Sequence, residues 1–156
     1  METYAPQIAD QAKLLDIARG QYHQLVFWIS ERQSSAHWRE MATDLGGRYV
    51  NLNLGLSQAL LEIPKRQWPH KAMGLTDAIA LSSEVPVTLL DRIEILFDQT
   101  LRLDVLKSLQ QVARRHCLLV VWPGERDDRY LTYAEPGHPE YCRYSHKDLL
   151  LFPTTP

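Results

Sequence analysis

The stretch Val87-Thr88-Leu89-Leu90-Asp91-Arg92-Ile93-Glu94-Ile95-Leu96-Phe97-Asp98 decides the fold. Its first four residues are apolar or β-branched, and the run stops at a carboxylate. A continuous apolar run of this length is the pattern of a strand buried on both faces. In open parallel α/β sheets, ligands gather outside the carboxyl ends of such strands. Asp91 therefore stands where a bound group would be met, and Glu94 follows within one turn.

Other segments repeat the pattern. Cys117-Leu118-Leu119-Val120-Val121-Trp122 is uniformly apolar and closed by Pro123-Gly124, Gln24-Leu25-Val26-Phe27-Trp28-Ile29 is a strand of similar length, and Arg48-Tyr49-Val50-Asn51-Leu52 is another. Helical spacing fills the intervals. Ile8, Ala12, Leu14, Leu15 and Ala18 form one stripe stopped by Gly20, and Ser34 or Ser35 caps a helix that Gly46-Gly47 ends. Leu56, Ala59, Leu60 and Ile63 mark a helix over 54–63 that Pro64 interrupts. A basic, aromatic loop is expected over 64–69, then a short helix over about 73–82. Leu103, Leu106, Leu109 and Val112 lead into Arg114-Arg115, which suit a helix C-terminus. Strands alternating with helices imply an α/β fold with a mainly parallel central sheet, helices on both faces, and the 87–90 strand at its centre.

At 156 residues, 45% hydrophobic and 23% charged, the chain supports one core and is too short for two. A single domain over 1–156 is expected: an N-terminal helix over 1–20, a core over 24–122, and C-terminal strands with a turn over 123–156. In that tail Tyr130-Leu131-Thr132-Tyr133 alternates as a strand, Pro136-Gly137-His138-Pro139 makes a bend, and Cys142-Arg143-Tyr144 adds a further strand. A net charge of −2 lacks the global basic excess of a nucleic-acid binder, which leaves local patches at Lys65-Arg66 and Arg114-Arg115. Cys117 and Cys142 stand 25 residues apart without a CxxC, the pattern of structural thiols. The start Met-Glu-Thr-Tyr-Ala-Pro has neither a basic leader nor an apolar core, and no apolar run approaches membrane-spanning length. The expectation is a cytoplasmic chain without a membrane partner.

An aspartate that ends a buried strand holds Mg²⁺ in P-loop NTPases, provided that a GxxxxGK[ST] loop cradles the phosphates after an earlier strand. No such loop is present. The 24–29 strand runs into Ser30-Glu31-Arg32-Gln33-Ser34-Ser35-Ala36-His37, which holds neither glycine nor lysine.

Four pieces in order, Tyr49-Val50-Asn51-Leu52-Asn53-Leu54, the 87–98 block, Leu118-Leu119-Val120-Val121-Trp122-Pro123-Gly124 and Leu131-Thr132-Tyr133-Ala134-Glu135-Pro136-Gly137-His138-Pro139-Glu140-Tyr141, resemble the BrxF proteins. These are small P-loop-like proteins of type 3 BREX phage-defence systems. The resemblance runs from the first strand to the C-terminus. It implies a P-loop NTPase-like three-layer sandwich and an accessory role beside other BREX defence proteins, with DNA reached through the complex. Family members often carry a recognisable Walker A loop. Here Trp28 and Gln33 fall at its glycine positions, Ser34 at its lysine and Ser35 at its hydroxyl, so only Ser35 fits.

The candidate residues each carry two readings. Ser34, Ser35, Asp91 and Glu94 form a vestigial or weak nucleotide and Mg²⁺ site, with Asp91 the metal ligand. Alternatively Asp91 caps the turn after its strand, and Glu94 is solvated or pairs with Arg92. Arg32, Arg114 and Arg115 contact phosphate or DNA, or are solvated; Trp68 with Lys65, Arg66 and His70 forms a basic-aromatic patch, or a plain surface. Tyr133, His138 and Tyr141 fold back near Trp122 as a hydrophobic brace or a docking surface. His138 has no second metal ligand at suitable spacing, and a turn role is expected. The leading expectation is an interaction protein without catalytic residues or a required cofactor. The alternatives are an ATP- and Mg²⁺-binding ATPase or switch that uses Arg32 and Ser35, and a DNA-contacting subunit.

Overall fold

The computed structural model describes residues 4–29, 33–81 and 84–153, excluding the side chains of 4–9. Five parallel strands form the main sheet: β1 (Leu25–Trp28), β2 (Arg48–Asn51), β3 (Thr88–Asp91), β4 (Leu118–Val121) and β8 (Leu150–Phe152), in the order β2-β3-β4-β1-β8. Their side chains divide by parity. Leu25, Phe27, Val50, Leu90, Leu118, Val120 and Leu151 enter one apolar layer, and Val26, Trp28, Leu89 and Leu119 enter the other.

Helices close both faces. α1 (Tyr4–Arg19) and α2 (Ser35–Asp44) cover the second layer with Leu14, Leu15, Ala18, Trp38 and Met41. α3 (Leu52–Leu61), α4 (Trp68–Ala80) and α5 (Val105–Val112) cover the first with Leu56, Leu60, Ala72, Ala80, Leu109 and Val112. The α/β reading, the parallel sheet and its cover on both faces are thus present. β3 is internal, between β2 and β4, but the middle strand is β4.

Local chemistry sets the boundaries. Ser34 caps α2 by accepting from the His37 amide at 3.2 Å, and Gly46 ends that helix at φ 72°, which a Cβ would strain. Asn51 ends β2 and caps α3 at once, its Oδ1 accepting from the Leu54 amide at 3.1 Å, so no loop intervenes. Asp104 caps α5 by accepting from the Lys107 amide at 3.1 Å.

Two boundaries correct the sequence reading. The expected loop over 64–69 is a short 3₁₀ turn, Lys65–Gln67, followed directly by α4. Pro69 lies in the first turn of α4, where its missing N–H costs nothing. The expected end of that helix at Ser82 lies outside the described residues; α4 ends at Ala80.

The tail forms a second sheet, antiparallel, of β5 (Glu125–Arg126), β6 (Tyr130–Tyr133) and β7 (Cys142–Ser145) in the order β5-β6-β7. β6 and β7 match the expected tail strands. Leu131 is fully buried in the first apolar layer, and the Trp122 indole N–H donates to the Thr132 carbonyl at 3.0 Å. Gly124 makes the approach possible, since a Cβ there would lie 1.8 Å from the Thr132 oxygen. The chain then returns to the main sheet as β8, an edge strand that sequence reading missed. Phe152 stacks on Trp28 with ring centroids 4.4 Å apart.

Replacing Leu151 with alanine should lower stability by about 2–4 kcal/mol in urea unfolding, as for other buried leucines. A loss under about 1 kcal/mol would show β8 to be a loose appendage. His116 supplies a pH test. It is buried, with Nε2 at 2.8 Å from Thr88 Oγ1, and because that hydroxyl donates to the Ala80 carbonyl at 2.9 Å, the ring must donate through Nε2. Burial first, and the Arg48 charge second, hold its pKa below the ordinary 6.5. The unfolded chain then binds the extra proton, so stability is complete above pH 6.5 and falls as the pH drops below it. His116→Gln should flatten that slope; an unchanged slope would assign it to other groups.

Candidate functional site

Asp91 sits at the carboxyl end of β3, as expected, and is 4% exposed. Its carboxylate is already engaged. Oδ2 accepts from the Tyr49 hydroxyl at 2.7 Å, Oδ1 accepts from the Arg92 amide at 2.9 Å, and the Arg92 guanidinium Nε lies 3.8 Å from Oδ2. Tyr49 reaches it from β2, whose register places Asn51 beside Asp91. Burial first, then the hydrogen bond and charge of Asp91, push the Tyr49 phenol far above its ordinary pKa. The hydroxyl therefore remains a donor at neutral pH. Arg39 of α2 lies over the Tyr49 ring, 4.8 Å from its centroid, which ties α2 to the same cluster.

Arg92 occupies the left-handed backbone region at φ 55°. Its carbonyl accepts from the Asn53 amide at 2.8 Å, and the Asn53 side chain accepts from the Ile95 amide at 2.7 Å through Oδ1. The β3 exit is thus clamped to the start of α3. Asn53 also offers Nδ2 to Glu94 Oε1 at 3.4 Å, so Glu94 turns toward Asn53, where the sequence left it either solvated or paired with Arg92.

Beside this clamp opens a polar cavity of about 450 Å³ lined by Ser35, Asn51, Asn53, Leu54, Ser57 and Arg92. Ser35 and the Asp91–Arg92 turn are therefore brought to one end of the sheet, as the sequence suggested. Ser34 is not available there as a free hydroxyl, because it caps α2. Arg32, invoked as a substitute for the missing lysine, lies outside the described residues. Among the described residues no group of three His, Cys, Asp or Glu side chains could hold a metal ion.

The other candidates lie elsewhere. The Trp68 indole donates to the Leu60 carbonyl at 2.9 Å, closing the last turn of α3 against α4, and Lys65 lies 5.9 Å from its ring. Trp68 is thereby largely spent inside the protein. Arg115 pairs with Asp77, and Arg114 lies 4.8 Å from the centroid of exposed Tyr22, both near the amino ends of the strands and away from Asp91. Tyr133 stacks on Phe97 at 3.8 Å, and burial raises its pKa. Tyr133 is joined to Trp122 through Phe97, whose ring lies edge-on to the indole at 5.8 Å. His138 accepts from the Glu140 amide at 3.0 Å through Nδ1, a turn contact. Tyr141 borders a separate cleft of about 460 Å³ with Phe97, Asp98, Arg102 and Tyr144.

Sequence reasoning missed Tyr49, since nothing in the chain shows that β2 neighbours β3 on the side where Asp91 points. It also missed two exposed leucines of α3, Leu54 and Leu61. No helix of the described residues is long and apolar enough to cross a membrane. No protein-family model, curated protein or solved structure matched the chain when it was compared with them.

Proposed function

We propose that this chain is an accessory component of a bacterial BREX-type phage-defence system, a P-loop-like protein that acts through contacts with other defence proteins and has lost nucleotide turnover. The observation that carries the loss of turnover is the closure of Asp91 by Tyr49 and Arg92. A magnesium ion at Asp91 would have to displace a hydrogen bond to a charged group, worth about 1.5–3 kcal/mol, and a neighbouring cation. It would do so without the glycines and lysine that ordinarily hold the phosphates. Arg92 also stands directly after the aspartate, where a catalytic glutamate normally stands.

The order β2-β3-β4-β1-β8 supports the P-loop-like reading of the fold. The chain leaves β1 toward β2 on one side and leaves β4 toward β8 on the other, so the topological switch point lies between β1 and β4. The carboxyl end of β1 and the Asp91 turn both lie at that end of the sheet. The placement in phage defence rests on the resemblance to the BrxF proteins.

A second reading, an ATP-binding switch, is favoured by Ser35 and Arg92 lining one cavity beside Asp91. Calorimetric titration separates the two. Millimolar Mg²⁺-ATP should give no saturable heat with the intact chain, and Tyr49→Phe should not create a site. Micromolar affinity that Asp91→Ala abolishes would establish the switch. In cells carrying the defence cluster, removal of this chain should reduce phage protection, and the tagged chain should co-purify with other products of the cluster. Unchanged protection would refute the defence assignment, and retention on DNA after the partner proteins are removed would favour a direct DNA contact.

A further inference from the structure

α1 is held to the sheet differently from α2 to α5. Arg39 of α2 lies over the Tyr49 ring of β2, the Asn53 amide of α3 donates to the Arg92 carbonyl, and the Ala80 carbonyl of α4 accepts from the Thr88 hydroxyl. The Ala113 carbonyl at the end of α5 accepts from the Gln24 amide. Among the described residues, the polar contacts of α1 stay within it and the turn that follows: Arg19 pairs with Asp16 at 2.7 Å, and the Gly20 and Gln21 amides donate to Ile17 and Ala18. Its described hold on β1 and β8 is apolar, through Leu14, Leu15 and Ala18. Gln11 weakens that hold. It stands on the same helical face, at i to their i+3, i+4 and i+7, and is 2% exposed, with no partner for its amide oxygen or its amide nitrogen. A buried amide in this state costs free energy only while the helix is docked, since water satisfies both atoms once it leaves. The Trp28 indole N–H, buried in the layer that α1 and α2 cover, also lacks an acceptor.

We infer that α1 is a hinged cover: it swings off β1 and β8 as a unit while the rest of the fold stays closed, and it bares the apolar face of Val26, Trp28 and Phe152. The hinge is the stretch 20–23. From Gln24 onward the chain is pinned, because the Gln24 amide donates to the Ala113 carbonyl and the Gln24 carbonyl accepts from the Leu118 amide, both at 2.8 Å. α1 can therefore leave without breaking a strand pairing. Cys117 reports the movement. It lies in the layer that α1 helps to close and is 2% exposed. Burial pushes its thiol up to about 11, against a smaller opposing effect of the charge on Arg19, the last residue of α1. In the closed state that thiol is shielded and protonated at about pH 8, so it reacts only when the cover opens. The device requires neither nucleotide nor a defence partner.

Hydrogen exchange resolved by peptide, and thiol labelling with dithionitrobenzoate located by peptide mass, read the opening on the intact chain. Amides of 11–19 should exchange at least about tenfold faster than the protected amides of α2 to α5. Cys117 should take label while α2 to α5 remain protected. Both processes should respond weakly to urea below the unfolding transition, because the departure of one helix exposes little surface. Gln11→Met keeps the length of the side chain and removes both unpaired atoms, so it should slow exchange in α1 and labelling at Cys117 by about tenfold. The parent chain alone decides whether α1 opens, and the variant decides whether Gln11 sets how often. Exchange in α1 as slow as in α2 to α5, or label that enters Cys117 only with global unfolding, would overturn the inference. So would rates that Gln11→Met leaves unchanged or raises, since the amide would then be satisfied in the closed state.

Discussion

A strand that is apolar on both faces cannot meet water on either, and this constraint orders the whole molecule. Phe27 and Trp28, Leu89 and Leu90, Leu119 and Val120 point alternately into two layers, and each layer needs its own helices. α1 and α2 meet the demand on one side, α3, α4 and α5 on the other. Parallel pairing follows because every connection must cross a face before the next strand begins. The antiparallel tail obeys the same demand at the sheet's end. Trp122 follows β4 with a large ring, Phe97 and Tyr144 lie edge-on to it, and Tyr133 stacks on Phe97. The strands β5, β6 and β7 thereby cover apolar surface that the helices leave open.

Within this frame, the polar chemistry at the carboxyl end of β3 has a definite cost. Burying a carboxylate requires partners, and Asp91 finds them in a phenol, an amide and a guanidinium. Those partners come from β2 and from the residue that follows. The backbone at Arg92 accommodates the arrangement with a left-handed conformation, a strain of about 1–2 kcal/mol for a residue other than glycine. The Asn53 amide holds that conformation by bonding the Arg92 carbonyl. The result is a carboxylate whose charge is satisfied within the fold, beside an arginine that also lines a cavity.

Four of the five main strands were legible, β1, β3 and β4 as runs of apolar or β-branched residues and β2 as Tyr49-Val50 just after the Gly46-Gly47 stop. β8 was not, because three residues before a proline carry too little pattern to distinguish a strand from a loop end. The start of α4 was misread for a related reason. Pro69 breaks a helix from within but opens one from its first turn, and local sequence does not say which position it holds. At the site, Asp91 and Ser35 could be named from motif logic, since both lie where strands meet helices. Tyr49 could not. Its role depends on strand order and side-chain parity together, and neither is written in the residues around it. Arg92 had no signal at all, as arginine shows no preference for the left-handed region.

The fate of the aromatic side chains bears on where this protein can meet another. Trp68, Tyr133 and Trp122 have the composition of interface anchors, yet each has a partner within the fold: a helix carbonyl, a phenylalanine ring and a strand carbonyl. A side chain whose polar atom is satisfied and whose ring is stacked has little left to offer a partner, since docking must first break the internal contact. Leu54 and Leu61 are in the opposite position. Solvent covers them already, so a partner removes water and disturbs nothing inside. Exposure without internal commitment, more than aromatic composition, is therefore the physical criterion by which a side chain stays free for a partner.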